Sequence, residues 1–159
     1  MRKASFNTLI LGIGNLLLGD EGLGVHAVRE LQRVRRHLPN VEIMEVGTAI
    51  LEALPALEKA DKVILLDALH VEGETGSVYR VSLDQCSKSP CVVSMHGFDI
   101  FRVLALAKRQ ELPEVIVLGI KPAHIGWSTE LSDQVVGALP ILLSAVYQEI
   151  EQINRCVGF

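Results

Sequence analysis

Two acids and one imidazole carry most of the chemistry this sequence offers. Glu21 lies in Gly12-Ile13-Gly14-Asn15-Leu16-Leu17-Leu18-Gly19-Asp20-Glu21-Gly22-Leu23-Gly24. Asp67 directly follows the aliphatic run Val63-Ile64-Leu65-Leu66, and His96 stands in Ser94-Met95-His96-Gly97. Two carboxylates and an imidazole suit a divalent transition metal with open or water-filled positions. Asp67 is the most telling, because a carboxylate behind such a run is poorly solvated unless something partners it. A loop cap, or bonds from neighbouring backbone N–H groups, meets that need equally well. His96 taken alone reads as a solvated or hydrogen-bonded loop side chain. With Ser94 as an N-cap it falls in a first helical turn, where the positive dipole end favours the neutral, metal-binding imidazole. Asp20 and Glu21 are adjacent acids at a helix start. One can cap while the other faces the cleft, and residue chemistry does not say which.

Other motifs carry less. Gly12-x-Gly14 after an apolar run, with Glu45 further on, imitates a dinucleotide fingerprint. Leu17 stands where its third glycine belongs, and Asp20 and Glu21 put negative charge where a pyrophosphate would bind. The glycines fit a tight turn and close backbone approach instead. No Gly-x-Ser-x-Gly elbow, His-Glu-x-x-His zinc motif or phosphate-binding loop is present. Cys86 and Cys91 read as structural or incidental thiols in a loop. Trp127 reads as a partly buried loop anchor, with contact to a partner as the minority reading. Arg29, Arg33, Arg35, Arg36 and His37 read as a solvated helix end, with docking of an acidic partner as the minority reading.

The elements that must position these groups alternate along the chain. Apolar runs predict strands over Thr8–Gly12, Val41–Val46, Lys62–Leu66 and Glu114–Gly119. Helical spacing predicts helices over Val25–Leu38, Phe98–Lys108 and Leu131–Ile153, the last kinked by Pro140, and a short one over Ala49–Leu57 interrupted by Pro55. Ser77–Val81 alternates and reads as an antiparallel edge strand. Uniformly aliphatic strands alternating with helices imply an α/β fold: a three-layer α/β/α sandwich around a mainly parallel twisted sheet with one antiparallel edge strand. In such sheets ligands bind beyond the carboxyl ends of the strands, which is where the two acids and the imidazole can converge.

With 159 residues, the chain is expected to be one domain, 1–159, with 49% hydrophobic residues to fill its core. A net charge of -4 argues against nucleic acid as the main partner. No run reaches the roughly 18 apolar residues of a membrane span, and no signal peptide is legible, so a cytoplasmic location is expected. Three cysteines, Cys86, Cys91 and Cys156, cannot all pair and are expected to be reduced there.

The segment from Leu11 to Gly24 resembles the opening signature of the hydrogenase maturation endopeptidases: Gly-x-Gly-Asn, a short apolar stretch, Asp-Glu or Asp-Asp, then spaced glycines. Glu45-Val46-Gly47-Thr48 resembles that family's Gly-Gly-Thr or Gly-Gly-Ser turn, with Val46 replacing the first glycine. Leu65-Leu66-Asp67-Ala68 is similar to its strand-end Asp-Ala, Ser94-Met95-His96 to its histidine block, and Gly119-Ile120-Lys121-Pro122 to a late Gly-x-x-Pro element. The departure at His70 adds a second imidazole, a minority candidate beside His96.

This resemblance implies an endopeptidase that removes the C-terminal extension of a nickel-loaded [NiFe]-hydrogenase large-subunit precursor, the metal acting as recognition handle. Nickel ligation would fall to Glu21, Asp67 and His96, which would act catalytically through the metal. Gly12, Gly14, Asn15, Gly47 and Thr48 would position backbone and turns. Families of this kind are sometimes grouped with aspartic proteases, yet no Asp-Thr-Gly or Asp-Ser-Gly pair is present. The rival readings are a non-catalytic nickel-binding assembly chaperone and a dinucleotide-binding module.

Overall fold

The computed structural model describes residues 5–34, 36–88, 92–94 and 96–157. Four parallel strands form its centre: β1 (Thr8–Ile13), β2 (Val41–Gly47), β3 (Lys62–Val71) and β6 (Glu114–Ile120). They lie in the order β2-β1-β3-β6, and β4 (Val78–Ser82) closes the edge antiparallel to β6. The expected sandwich with one antiparallel edge strand is therefore present. A short strand, β5 (Val92–Ser94), pairs antiparallel with the far end of β3.

Side-chain alternation along the strands builds two cores. Leu9, Leu11, Val63, Leu65 and Val117 face Ile50 and Leu57 and, from helix α4 (Gly97–Leu106), Ile100. Ile10, Ile64, Leu66 and Leu118 face α1 (Leu23–Val34) through Ala27 and Leu31, and α5 (Asp133–Val157) through Leu142 and Val146. Each buried aliphatic side chain contributes roughly 1.5–3 kcal/mol of transfer free energy. This explains how a chain with few aromatics still fills both layers.

Several boundaries differ from expectation, each for a local reason. Helix α1 stops at Val34 and not at Leu38. Val34 is exposed, and Leu38 packs against the core from the connection to β2, so its apolar character belongs to the connector. The segment around Pro55 is a 3-10 turn (Ile50–Ala53) followed by one α-turn, α2 (Leu54–Leu57). Pro55 sits in that first turn, where its missing N–H costs nothing. Helix α5 continues through Pro140. The expected loop at Cys86 is a short helix, α3 (Leu83–Lys88); Cys91 and Arg35 lie outside the described residues. Cys156 is free and exposed on α5. No helix among the described residues is long and apolar enough to cross a membrane.

The largest difference is in β3. It runs to Val71, past the expected end at Leu66, so Asp67 lies inside the strand, opposite Gly119 of β6. Beyond Gly12, β1 no longer pairs with β3, and the strand continues against β6 and then β5. His70 is exposed, and alternation turns it to the face opposite Asp67, so it is no competitor of His96.

A buried charge cluster ties the sheet to α5. Glu149 is 3% exposed; its Oε1 accepts from Arg80 Nε of β4, and its Oε2 lies 3.3 Å from Lys62 Nζ of β3. Lys62 Nζ is also 3.7 Å from Glu114 Oε2. Burial pushes the Glu149 carboxyl up, but the Arg80 hydrogen bond and the Lys62 charge outweigh it and hold the carboxyl below its ordinary value.

A second buried acid, Asp20, organises the connection between β6 and α5. It is 0% exposed and accepts from Ser132 N–H (2.7 Å), Ser132 Oγ (2.8 Å), Ala123 N–H (2.9 Å) and His124 N–H (2.9 Å). Burial raises its pKa, but these bonds together outweigh that and hold the carboxyl below its ordinary value.

Two outcomes follow from these clusters. Glu149→Gln leaves Lys62 and Arg80 short of their counter-ion, and at pH 7 it costs about 3 kcal/mol in urea unfolding. Because the folded carboxyl titrates below the unfolded one, its stabilisation is complete at neutral pH and is lost as pH falls through the folded pKa. The gap between wild type and variant therefore narrows below about pH 4, and a constant gap refutes the assignment. Asp20→Asn presents an NH2 group to N–H donors and costs about 3 kcal/mol. Its signature is faster hydrogen exchange at the amides of Ala123, His124 and Ser132; unchanged exchange there contradicts the role given to Asp20.

Candidate active site

Glu21, Asp67 and His96 meet at the carboxyl rim of the sheet. Asp67 is 0% exposed. Its Oδ1 accepts from Ala68 N–H at 2.9 Å and lies 3.1 Å from His96 Nδ1, while Oδ2 accepts from His96 N–H at 2.9 Å. The other ring nitrogen, Nε2, lies 3.3 Å from Glu21 Oε1. The imidazole thus bridges the two carboxylates, one at each nitrogen. Only 13% of the His96 side chain and 13% of the Glu21 side chain are exposed, so both groups are largely enclosed by the cleft.

Glu21 reaches this position through a tightly folded loop. Gly14 has φ +130, and a Cβ there would sit 1.9 Å from the Glu21 carbonyl oxygen, so only glycine lets the chain double back so closely. Gly12 does the same service for α1: its Cβ would lie 2.3 Å from the Gly24 carbonyl oxygen and 2.5 Å from Val28. Asn15 Oδ1 accepts from Leu17 N–H at 2.9 Å, closing the turn that follows. Gly14 N–H donates to Gly47 O at 3.0 Å, which ties the loop to the end of β2. Thr48 is exposed, and with Gly14, Asn15 and Gly47 it lines an open depression of about 350 Å3.

Residues 19–22 form a single 3-10 turn that separates the tasks of the neighbouring acids. Successive side chains on such a turn diverge by about 120°. Asp20 points into the protein and binds the loop of residues 123–132, while Glu21 faces His96. The choice that residue types left open is made by this turn.

His96 is the N-cap of α4 and makes no side-chain cap bond; its carbonyl accepts from Asp99 N–H at 3.1 Å. Ser94, expected as the cap, ends β5 instead. The helix-end dipole favours the neutral imidazole, and the carboxylates around the ring act in the other direction. Burial lowers the His96 pKa, but the Asp67 hydrogen bond and the charges of Asp67, Glu21 and Asp99 outweigh it, and the pKa stands above its ordinary value. Sequence reasoning passed over Asp99, although its place one helical turn after His96 was a usable signal.

Among the described residues no three His, Cys, Asp or Glu side chains already converge on a point that could hold a metal. Glu21 and Asp67 each turn an oxygen towards a ring nitrogen of His96, within hydrogen-bonding reach. Glu45, which imitates a ribose-binding acid in the sequence, is taken by Arg29: Nε donates to Oε2 at 2.9 Å and Nη2 to Oε1 at 2.8 Å. Arg33 pairs with Glu30, and Arg36 lies 4.7 Å over the Tyr147 ring, so these members of the basic helix end have partners on the protein itself. Trp127, expected as a partly buried anchor, is 85% exposed.

Comparison with known proteins agrees with this architecture. The family model described as hydrogenase maturation protease matches residues 25–149. The chain is 32% identical over 159 residues to the hydrogenase 2 maturation protease of Escherichia coli (strain K12), covering 92% of this chain and 95% of that one. It is 34% identical over 121 residues to the hydrogenase expression/formation protein HupD of Thiocapsa roseopersicina, spanning 74% of this chain and 55% of that longer protein. The solved structure of the hydrogenase maturating endopeptidase HybD from Escherichia coli superposes with a TM-score of 0.79 at 27% identity, covering 92% of this chain and 93% of that one. By fold and by sequence over most of its length, the chain belongs to the hydrogenase maturation protease family.

Proposed function

We propose that this protein is an endopeptidase that removes the C-terminal extension of a nickel-loaded [NiFe]-hydrogenase large-subunit precursor, and that it recognises the precursor by its nickel. The observation that carries this reading is the His96 imidazole held between the carboxylates of Asp67 and Glu21 at the sheet's carboxyl rim. Nickel arrives here as part of the substrate. A dication suits a cleft with two carboxylates and one imidazole, a donor set matched to a borderline transition ion. Bonds from nickel to Glu21, Asp67 and His96 replace the contacts that these groups make with each other. The backbone N–H groups of Ala68 and His96 keep the Asp67 carboxylate in place, and so keep the site preorganised.

Gripping the metal brings the adjacent scissile bond into register, an effect that can lower a barrier by about 7–11 kcal/mol. Hydrolysis then adds water to the scissile carbonyl carbon, breaks the C–N bond, and releases the extension with a new amino terminus. Of the two carboxylates only Glu21 keeps solvent access, so the oxygen it does not give to nickel is the one placed to take a proton from that water and pass it to the departing amine.

Purified protein is mixed with nickel-loaded and nickel-free precursor, and the mass of the large subunit is followed. Only the loaded precursor is expected to shorten. Equal shortening of both would sink nickel recognition, and shortening of neither would favour a nickel-binding chaperone. Asp67→Asn and His96→Ala are expected to slow processing by at least about a hundredfold while circular dichroism stays native. Processing at the wild-type rate by either variant excludes this site.

A further inference from the structure

Trp127 is the most exposed large hydrophobic side chain among the described residues, at 85%, and it stands on a loop that is firmly fixed. Gly19 N–H donates to Ser128 O at 2.7 Å, Ser128 N–H to Leu17 O at 3.0 Å, Gly126 N–H to Leu18 O at 3.4 Å and Asp20 N–H to His124 O at 3.0 Å. Leu18 and Ser128 form a parallel bridge. Leu17 and Trp127 each directly precede a member of that bridge, so the bridge brings their two backbone segments together. Leu17 is 53% exposed and Ile125 is 39% exposed. A tryptophan held rigidly in solvent beside two exposed aliphatic residues is the composition of a binding hot spot.

The position of the patch identifies its occupant. Its loop leaves the carboxyl end of β6 and is joined by hydrogen bonds to residues 17–20, the segment that carries Glu21. The patch is therefore built on the same rim and frame as the Glu21–His96–Asp67 cleft. Its two strips, Leu16-Leu17-Leu18 and Ile125-Gly126-Trp127-Ser128, contain no charged residue. An apolar segment suits them, and an acidic or basic one does not.

We infer that Trp127, with Leu17 and Ile125, seats an apolar segment of the large-subunit precursor next to its metal-bearing end, and thereby sets the precursor's affinity. This rests on the function proposed above and adds to it a docking surface that acts on binding and not on bond cleavage. Trp127 is the chain's single tryptophan, so the contact can be observed directly.

The test uses the full chain labelled with 5-fluorotryptophan and the nickel-loaded precursor. Precursor is expected to shift the lone 19F resonance. Trp127→Ala and Leu17→Ser should each raise KM about tenfold with kcat within about twofold, and Trp127→Phe should recover part of the loss. The exposed positions keep the variants' melting temperatures near wild type. A resonance unmoved by saturating precursor, or an unchanged KM, overturns the inference while leaving the proposed function standing. A resonance that moves with the chain's own concentration, together with a dimer that Trp127→Ala dissociates, assigns the patch to a second copy and also overturns it. Failure of the wild-type chain to shorten the precursor removes the proposed function, and this inference with it.

Discussion

A carboxylate without solvent, set in the middle of a strand, governs the arrangement of this molecule. Asp67 is fully buried between the sheet and the segment leading into α4, where an isolated charge costs several kcal/mol. The cost is offset only when its oxygens receive donors, and two of the groups that meet it come from one residue: the backbone N–H and the ring of His96. The chain must therefore return after β4 and α3 to lie over the end of β3, and β5 is the pairing that brings it there. The imidazole is oriented by the same bond that makes the buried acid tolerable. Fold stability and site geometry share one interaction.

A second constraint acts from the opposite side of the cleft. Glu21 meets His96 only because the chain doubles back over Gly14 and α1 presses close to β1 at Gly12. These approaches are shorter than any side chain allows, so the opening glycines are steric requirements of where Glu21 stands. A dinucleotide site also uses glycines for close approach. Here the space they open is filled by the protein's own backbone, and the acid that would bind a ribose is neutralised by Arg29.

Sequence patterns made the parallel strands, the antiparallel edge and both helical layers legible, because uniformly aliphatic runs and helical spacing reflect two-sided burial directly. The same logic misjudged β3. A charged residue after Leu66 reads as a strand end, yet the ladder to β6 continues through Asp67 because Gly119 opposite leaves room: a Cβ there would lie 2.4 Å from the Asp67 carbonyl oxygen. The short α3 and β5 escaped notice since so few residues display no period. Glu21, Asp67 and His96 could be named as candidates from residue type and family resemblance. Their mutual orientation could not, because it is set by contacts between segments far apart in the chain. Trp127 was misread for a related reason: aromatic residues in loops usually bury, and only the pairing of residues 17–18 with 126–128 reveals that this one is held outwards.

The adjacency of Asp20 and Glu21 joins these threads. On a regular α-helix, neighbouring acids would both be free to act as dipole complements; on a single 3-10 turn they diverge, one inwards and one to the cleft. Asp20 spends its full acceptor capacity on the loop that follows β6, including the backbone that leads to Trp127. Glu21, one residue on, faces the imidazole. The two tasks demand acids of unequal reach. The shorter aspartate suits the close, fully enclosed loop amides, and the longer glutamate spans the cleft to Nε2. Exchanging the two residues would preserve charge and composition yet leave each carboxylate the wrong length for its task.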